Sequence, residues 1–302
     1  MDAFAPYNNT LGFFVGNEVI ALNNQSLAAP YIKAAARDMK AYRAKKGYRE
    51  IPVGYSAADI SELRPMLQNY LACGSNPAES IDMFGLNAYE WCGANDMTTS
   101  GYNLLNSFAQ GYNVPIFFSE TGCNTVRPRD FADQSAILGP EMNDLWAGAL
   151  IYEWIEEANN YGLISYGPPV PVTVVATDIQ GGFSRMGMPT PVSPDFSNLK
   201  SQWATLHPTG ISAAAYKPTL TPPACPSSTA GGWLVDGDVK LPSVGQTQQV
   251  GTATSASTPT GTTTGTAADP TSTKKGAANG SKNIAGMSAG LVAVMLGFTY
   301  WL

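Results

Sequence analysis

Five short apolar runs punctuate the chain, each bounded by polar or turn residues, at residues 11–15, 51–55, 81–86, 114–118 and 147–152. Such runs predict strands buried on both faces. Between the first two, residues 29–42 have helical composition, with Pro30 near the start and Gly47 beyond the end. Residues 57–71, 102–111 and 130–141 are expected to supply helices or short connections in the next gaps. Strand–helix alternation with doubly buried strands indicates a parallel sheet covered by helices. Each predicted strand runs into polar or aromatic chemistry: Asn17-Glu18, Ser56 to Asp59, Asn87 to Glu90, Ser119-Glu120 and Tyr152-Glu153-Trp154. Polar residues at C-terminal strand ends mark a (β/α)8 TIM barrel, whose active site lies on that rim. A doubly wound sheet shares the alternation but usually brings a Gly-rich phosphate loop, which this sequence lacks. A full barrel needs eight strands, so the expectation is α/β, an incomplete barrel short of about three strand–helix units.

After the last run the chain turns Pro-rich and loses periodicity, with Cys225 and Trp233 as its notable features. A Ser/Thr/Gly-rich tract follows that cannot bury a core and reads as an extended, O-glycosylated stalk. The final nineteen-residue stretch, 284–302, is uncharged, apolar and rich in small residues. With the small residues and polar spacer before it, this forms a GPI-anchor signal. A tail-anchor helix is the alternative, disfavoured because no Lys or Arg follows the apolar run. Attachment is expected at Asn279, with Gly280 and Gly276 as competitors. The expected organisation is a partial barrel over residues 1–210, a post-barrel segment over 211–244, a linker with the attachment region over 245–283, and the tail. The first twenty residues contain no secretory signal. An anchor is added only after entry into the secretory pathway, so a preceding segment is expected. The sequons at Asn8 and Asn24 offer N-glycosylation sites.

Composition narrows the chemistry. Only 13% of the residues are charged and the net charge is −6, which excludes phosphate-backbone binding. A single histidine, His207, lies in a polar stretch and argues against a His-based triad or a His-rich metal site. Cys73, Cys92, Cys123 and Cys225 are too widely spaced for zinc. Two disulfides of a secreted protein fit better, with three pairings open on spacing alone. No cofactor, metal or obligate protein partner is implied.

Glu18 and Glu120 each follow a strongly apolar run, so strand geometry would aim both over one rim. Retaining glycoside chemistry needs such a pair about 5–5.5 Å apart, one attacking the anomeric carbon and the other moving the proton. Asn17 adds an amide suited to the sugar 2-hydroxyl. Tyr89, Trp91, Tyr152 and Trp154 suit either sugar stacking or ordinary packing. Glu90 and Glu153 suit either orientation of the pair or a salt bridge.

The segments LGFFVGNEVI, IPVGYSAAD, IDMFGLNAYEWCG, VPIFFSETGCN and YEWIEEANNYGL closely resemble the fungal β-1,3-glucanosyltransferases of glycoside hydrolase family 72. The resemblance runs from near residue 2 to about Trp233. It implies a (β/α)8 barrel of which strands four to eight are present, with Glu18 as acid/base and Glu120 as nucleophile. It also implies sugar contacts at Asn17, Tyr89 and Tyr152, a Cys92–Cys123 bond, and a Cys73–Cys225 bond pinning the post-barrel segment. The implied activity is retaining transfer of β-1,3-glucan from donor to acceptor chains at the cell wall and the outer face of the plasma membrane. Hydrolysis, or a non-catalytic glucan-associated surface protein, are the alternatives. Thr121 and Trp154 depart from the usual family residues.

Overall fold

The computed structural model describes residues 1–247 apart from residue 213. The attachment candidates Asn279, Gly280 and Gly276, the linker beyond residue 247 and the apolar tail lie outside the described residues. Among the described residues, no helix is long and apolar enough to cross a membrane.

Strands β1 (Phe13–Asn17), β2 (Val53–Ala58), β3 (Met83–Asn87), β4 (Ile116–Thr121) and β5 (Trp146–Ile151) form one sheet in sequential order. Every neighbouring pair is parallel. The crossovers carry α1 (Ala29–Lys45), α2 (Arg64–Ala72), α3 (Tyr102–Ala109) and α4 (Asp133–Ile137). Five parallel strands in sequential order, joined by four helical crossovers, are the arrangement of a (β/α)8 barrel over five of its strands. The central strands β2 and β3 are buried almost throughout, as unbroken apolar runs require, whereas β1 and β5 at the sheet's ends are half-buried.

Strands β1 to β4 each start two residues later than the hydrophobic runs suggest, whereas β5 starts one residue earlier. Apolar composition marks where a strand is buried, whereas the hydrogen-bond ladder runs on into the polar rim. Glu120 consequently sits inside β4. Helix α2 starts at Arg64, because residues 57–63 first complete β2 and a turn. Helix α1 matches its pattern closely: Pro30 stands in its first turn, Arg43 and Lys45 in its last, and Gly47 takes a left-handed φ of 65° just beyond.

Residues after β5 are more ordered than their composition suggests. Short antiparallel ribbons pair β6 (Ile164–Ser165) with β9 (Thr190–Pro191), and β7 (Ile179–Gln180) with β8 (Phe183–Ser184). Helix α5 (Asp195–Thr205) follows. The chain then returns across the outer helices, bonded from Cys225 to Cys73 at the end of α2. Trp233 is 1% exposed, lies 5.6 Å from the Tyr70 ring, and donates its indole N–H to the Val235 carbonyl. Ser26 Oγ accepts from the Leu234 amide at 3.0 Å, and Arg37 donates to the Pro242 carbonyl at 2.8 Å. The post-barrel segment is therefore part of the same packed unit. Asn8 and Asn24 are both exposed, as is His207.

Trp233→Ala is expected to lower unfolding free energy by about 3–5 kcal/mol, since it empties a fully buried aromatic site. Trp154→Ala, at a side chain 48% exposed, should change it by less than about 0.5 kcal/mol. Urea unfolding followed by far-UV circular dichroism measures both.

Candidate active site

The C-terminal ends of β1 to β4 deliver a row of polar side chains to one edge of the sheet. Asn17 pairs in register with Ser56, Ala58 with Asn87, and Asn87 with Glu120. Asn87 occupies the centre. Its amide nitrogen donates to Glu18 Oε1 at 2.9 Å and to Asn17 Oδ1 at 3.0 Å. Its Oδ1 accepts from Ser56 Oγ at 2.9 Å and Ser119 Oγ at 2.7 Å, and the two hydroxyls lie 2.8 Å apart. Ser56, Asn87 and Ser119 are all buried. Gly85 leaves the space for them, because a Cβ there would lie 2.5 Å from Ser119 Oγ.

Glu18 follows β1 with a φ of 51°, a left-handed conformation unusual for a glutamate. Its backbone N–H donates to the Ser56 carbonyl at 2.9 Å, and the next N–H, of Val19, donates to the Tyr55 hydroxyl at 2.9 Å. Tyr55 is fully buried, and that burial pushes its phenol up to about 12. The strained turn is thus tied at two successive amides to β2.

Glu120 is half-buried within β4. Tyr89 donates its hydroxyl to Oε2 at 2.6 Å. Burial raises the Glu120 pKa above its ordinary value. The Tyr89 hydroxyl pulls it back, the charge of Glu18 pushes it up, and the Asn87 amide pulls it back again. One side-chain amide therefore acts on both carboxylates, and the two carboxylates feel one another.

Around Glu120 the tyrosines form a trio. The Tyr89 ring lies 6.3 Å from Tyr152 and 5.7 Å from Tyr161, while Tyr152 and Tyr161 are 5.3 Å apart, all edge-to-face. Burial pushes the Tyr152 phenol up to about 12. The Cys92–Cys123 bond ties the loop after Tyr89 to the loop after Glu120. From below, Arg129 donates to the carbonyls of Tyr152 at 3.1 Å and Tyr161 at 2.7 Å, and its Nε to Asp195 at 2.7 Å. Both members of that ion pair are buried. Since the guanidinium fills its fork with a carboxylate and two carbonyls, its burial is compensated, and it anchors the two tyrosine-bearing stretches to α5.

Of the residues singled out in the sequence, Asn17, Glu18, Tyr89, Glu120 and Tyr152 come together on this edge. Trp91 does not join them: it packs 5.2 Å from Tyr102 against the core. Among the described residues, Glu90 and Glu153 hydrogen-bond neither catalytic candidate; Glu153 accepts from Asn159 at 2.7 Å, and burial raises Glu90 against the lowering charge of Arg64. Tyr161, the central role of Asn87, and the Arg129–Asp195 anchor were not picked out. Asn87 carried a signal, a polar residue closing an apolar strand. Arg129 and Asp195 stand in stretches without periodicity and carried none.

A model of the glucanosyltransferase family, glycoside hydrolase 72, matches residues 1–174. The 1,3-beta-glucanosyltransferase gas2 of Schizosaccharomyces pombe is 38% identical over 240 residues, covering 78% of this chain and 48% of that protein. The 1,3-beta-glucanosyltransferase PGA4 of Candida albicans is 44% identical over 208 residues, covering 68% and 42%. The structure of Saccharomyces cerevisiae Gas2p in complex with laminaripentaose superposes with a TM-score of 0.68 at 38% identity, covering 80% of this chain and 50% of that one. The chain spans half or less of the length of these relatives. With more than half of its residues matched, the chain belongs to the glucanosyltransferase family, glycoside hydrolase family 72.

Proposed function

We propose that this chain carries the retaining β-1,3-glucanosyltransferase centre of its family, with Glu120 as nucleophile and Glu18 as acid/base. Glu120 attacks the anomeric carbon of a β-1,3-glucan while Glu18 protonates the departing 3-oxygen. The sugar is held as an ester on Glu120. Glu18 then takes the proton from the 3-hydroxyl of an acceptor glucan, which displaces the ester and restores the β configuration. Asn17 binds the 2-hydroxyl, and Tyr89 and Tyr152 bear on the sugar rings. The observation that carries this reading is the side chain of Asn87, which donates to Glu18 Oε1 at 2.9 Å and stands in register beside Glu120, so that the carboxylate following β1 and the one within β4 flank a single residue. The Tyr89 hydroxyl supports the nucleophile's role, because a donor held on Oε2 favours the ionised carboxylate. The cell wall and the outer face of the plasma membrane, with a GPI anchor at Asn279, are the place of action we propose on the sequence signal.

Purified protein incubated with a reduced laminari-oligosaccharide should give both longer and shorter oligomers. Glu120→Gln and Glu18→Gln should each abolish them. Shortening alone would mean hydrolysis, and no products from folded wild-type protein would favour a glucan-associated scaffold.

A pH profile tests the roles separately. Glu120 must be ionised to attack, and its pKa is raised, so kcat/KM should fall with decreasing pH at values above the ordinary glutamate range. Tyr89→Phe removes the donor that favours the ionised form. The acid limb should move to higher pH and the plateau should drop about 10- to 100-fold, as expected for losing a hydrogen bond to a charged group.

A further inference from the structure

The candidate pair is supported by a buried polar triangle to which the proposed chemistry assigns no contact with the sugar. Ser56 comes from β2, Asn87 from β3 and Ser119 from β4. All three lie beneath the rim, at 2%, 3% and 7% exposure. A side-chain amide has two ends of opposite polarity but similar shape, so nothing in its size decides which end faces a neighbour. Here the carboxylate decides. Glu18 Oε1 accepts from the nitrogen end at 2.9 Å, which a carboxylate without a proton requires and a protonated one still permits through its carbonyl oxygen. The two serine hydroxyls, able to donate or accept, then satisfy the oxygen end at 2.9 and 2.7 Å. In the reversed orientation, Oδ1 would face the Glu18 carboxylate, acceptor against acceptor. The second N–H of Asn87 then meets Asn17 Oδ1 at 3.0 Å, which turns the donating end of Asn17, an exposed side chain, away from Asn87. Ser56 contributes twice, because its carbonyl also accepts the N–H of the strained Glu18.

We propose that Asn87, with its buried oxygen satisfied by Ser56 and Ser119, is a positioning residue that aims Glu18 at the leaving oxygen and Asn17 at the sugar 2-hydroxyl. The proposal rests on the glycosyl-transfer reading of Glu18 and Glu120 and adds the device that orients them. Asn87 itself never meets the sugar; it acts through the two residues it holds. Because it leans on hydroxyls from the strands on both sides, the aim of the acid/base is fixed by the sheet's own register.

The two serines give this a signature that a merely structural role lacks. Either hydroxyl alone keeps Oδ1 occupied, and only losing both leaves it buried without a donor. Ser56→Ala and Ser119→Ala should each lower kcat by less than about 3-fold. The double variant should lower it about 30-fold, well beyond the product of the singles, with KM changed less than about 2-fold. Asn87→Asp keeps the shape and both hydroxyl contacts but puts an acceptor against Glu18, and should lose about 100-fold in kcat. Near-UV circular dichroism confirms that each variant is folded. A second reading needs no turnover: carboxyl 13C NMR of Glu120, whose titration midpoint should rise in the double variant as the amide slips from its place. A double variant equal to the product of the singles, an effect confined to KM, or an unmoved Glu120 midpoint would overturn the positioning role. Wild-type protein without transfer or hydrolysis would instead defeat the proposed function, and the Glu120 titration would then decide the role of the triangle on its own.

Discussion

The parallel register of β1 to β4 is the constraint on which the rest of this molecule depends. Catalysis by a carboxylate pair tolerates errors well below one ångström, yet Glu18 and Glu120 are separated by more than a hundred residues of sequence. A parallel ladder converts that separation into a short walk along strand ends. Asn17 stands beside Ser56, Ala58 beside Asn87, and Asn87 beside Glu120. Breaks in the ladder fall at the positions where these side chains must turn: between Phe14 and Asn17, and between Leu86 and Asn87. Such irregularities re-aim side chains at a rim without disturbing the buried strand beneath.

Everything outside the sheet stiffens that edge. Two successive amides tie the turn carrying Glu18 to β2, the Cys92–Cys123 bond joins the loops on either side of Glu120, and Arg129 fastens the carbonyls of Tyr152 and Tyr161 to α5 through Asp195. These are polar fastenings at the rim, where apolar packing is thin. Beneath and outside them the reinforcement changes character: Trp233 against Tyr70, and the Cys73–Cys225 bond that holds the returning chain on the outer helices. A loop of such length, with a sequence separation of 152, is where a crosslink removes most entropy from the unfolded chain.

The strands and both catalytic candidates were legible because each depends on local sequence. LGFFV followed by GNE, and PIFF followed by SE, state burial and then chemistry within a few residues. What stayed hidden was reciprocal. Asn87 was visible as a polar strand end, but its role lies in partners 31 and 32 positions away. The Arg129–Asp195 pair joins residues 66 apart, neither in a periodic segment. Helix α5 buries only Asp195 and Leu199 deeply, so its sequence shows almost no apolar stripe, and composition alone took it for loop. Trp91 was open on sequence between a sugar platform and ordinary packing, and only the fold decides it, by turning its ring onto Tyr102.

The environments of the two carboxylates differ in a way that bears on their division of labour. Glu18 is exposed, whereas burial raises Glu120. By burial alone, Glu120 would be cast as the proton donor, since a desolvated carboxyl prefers its neutral form. Its hydrogen bond argues the other way: the Tyr89 hydroxyl donates to Oε2 at 2.6 Å and favours the charged form. A half-buried carboxylate accepting an oriented hydroxyl is poorly solvated by water yet has its charged form favoured by that donor, which suits the attack proposed for it. The role proposed for Glu120 therefore rests on the hydroxyl that favours its charged form, rather than on how deep the carboxyl lies.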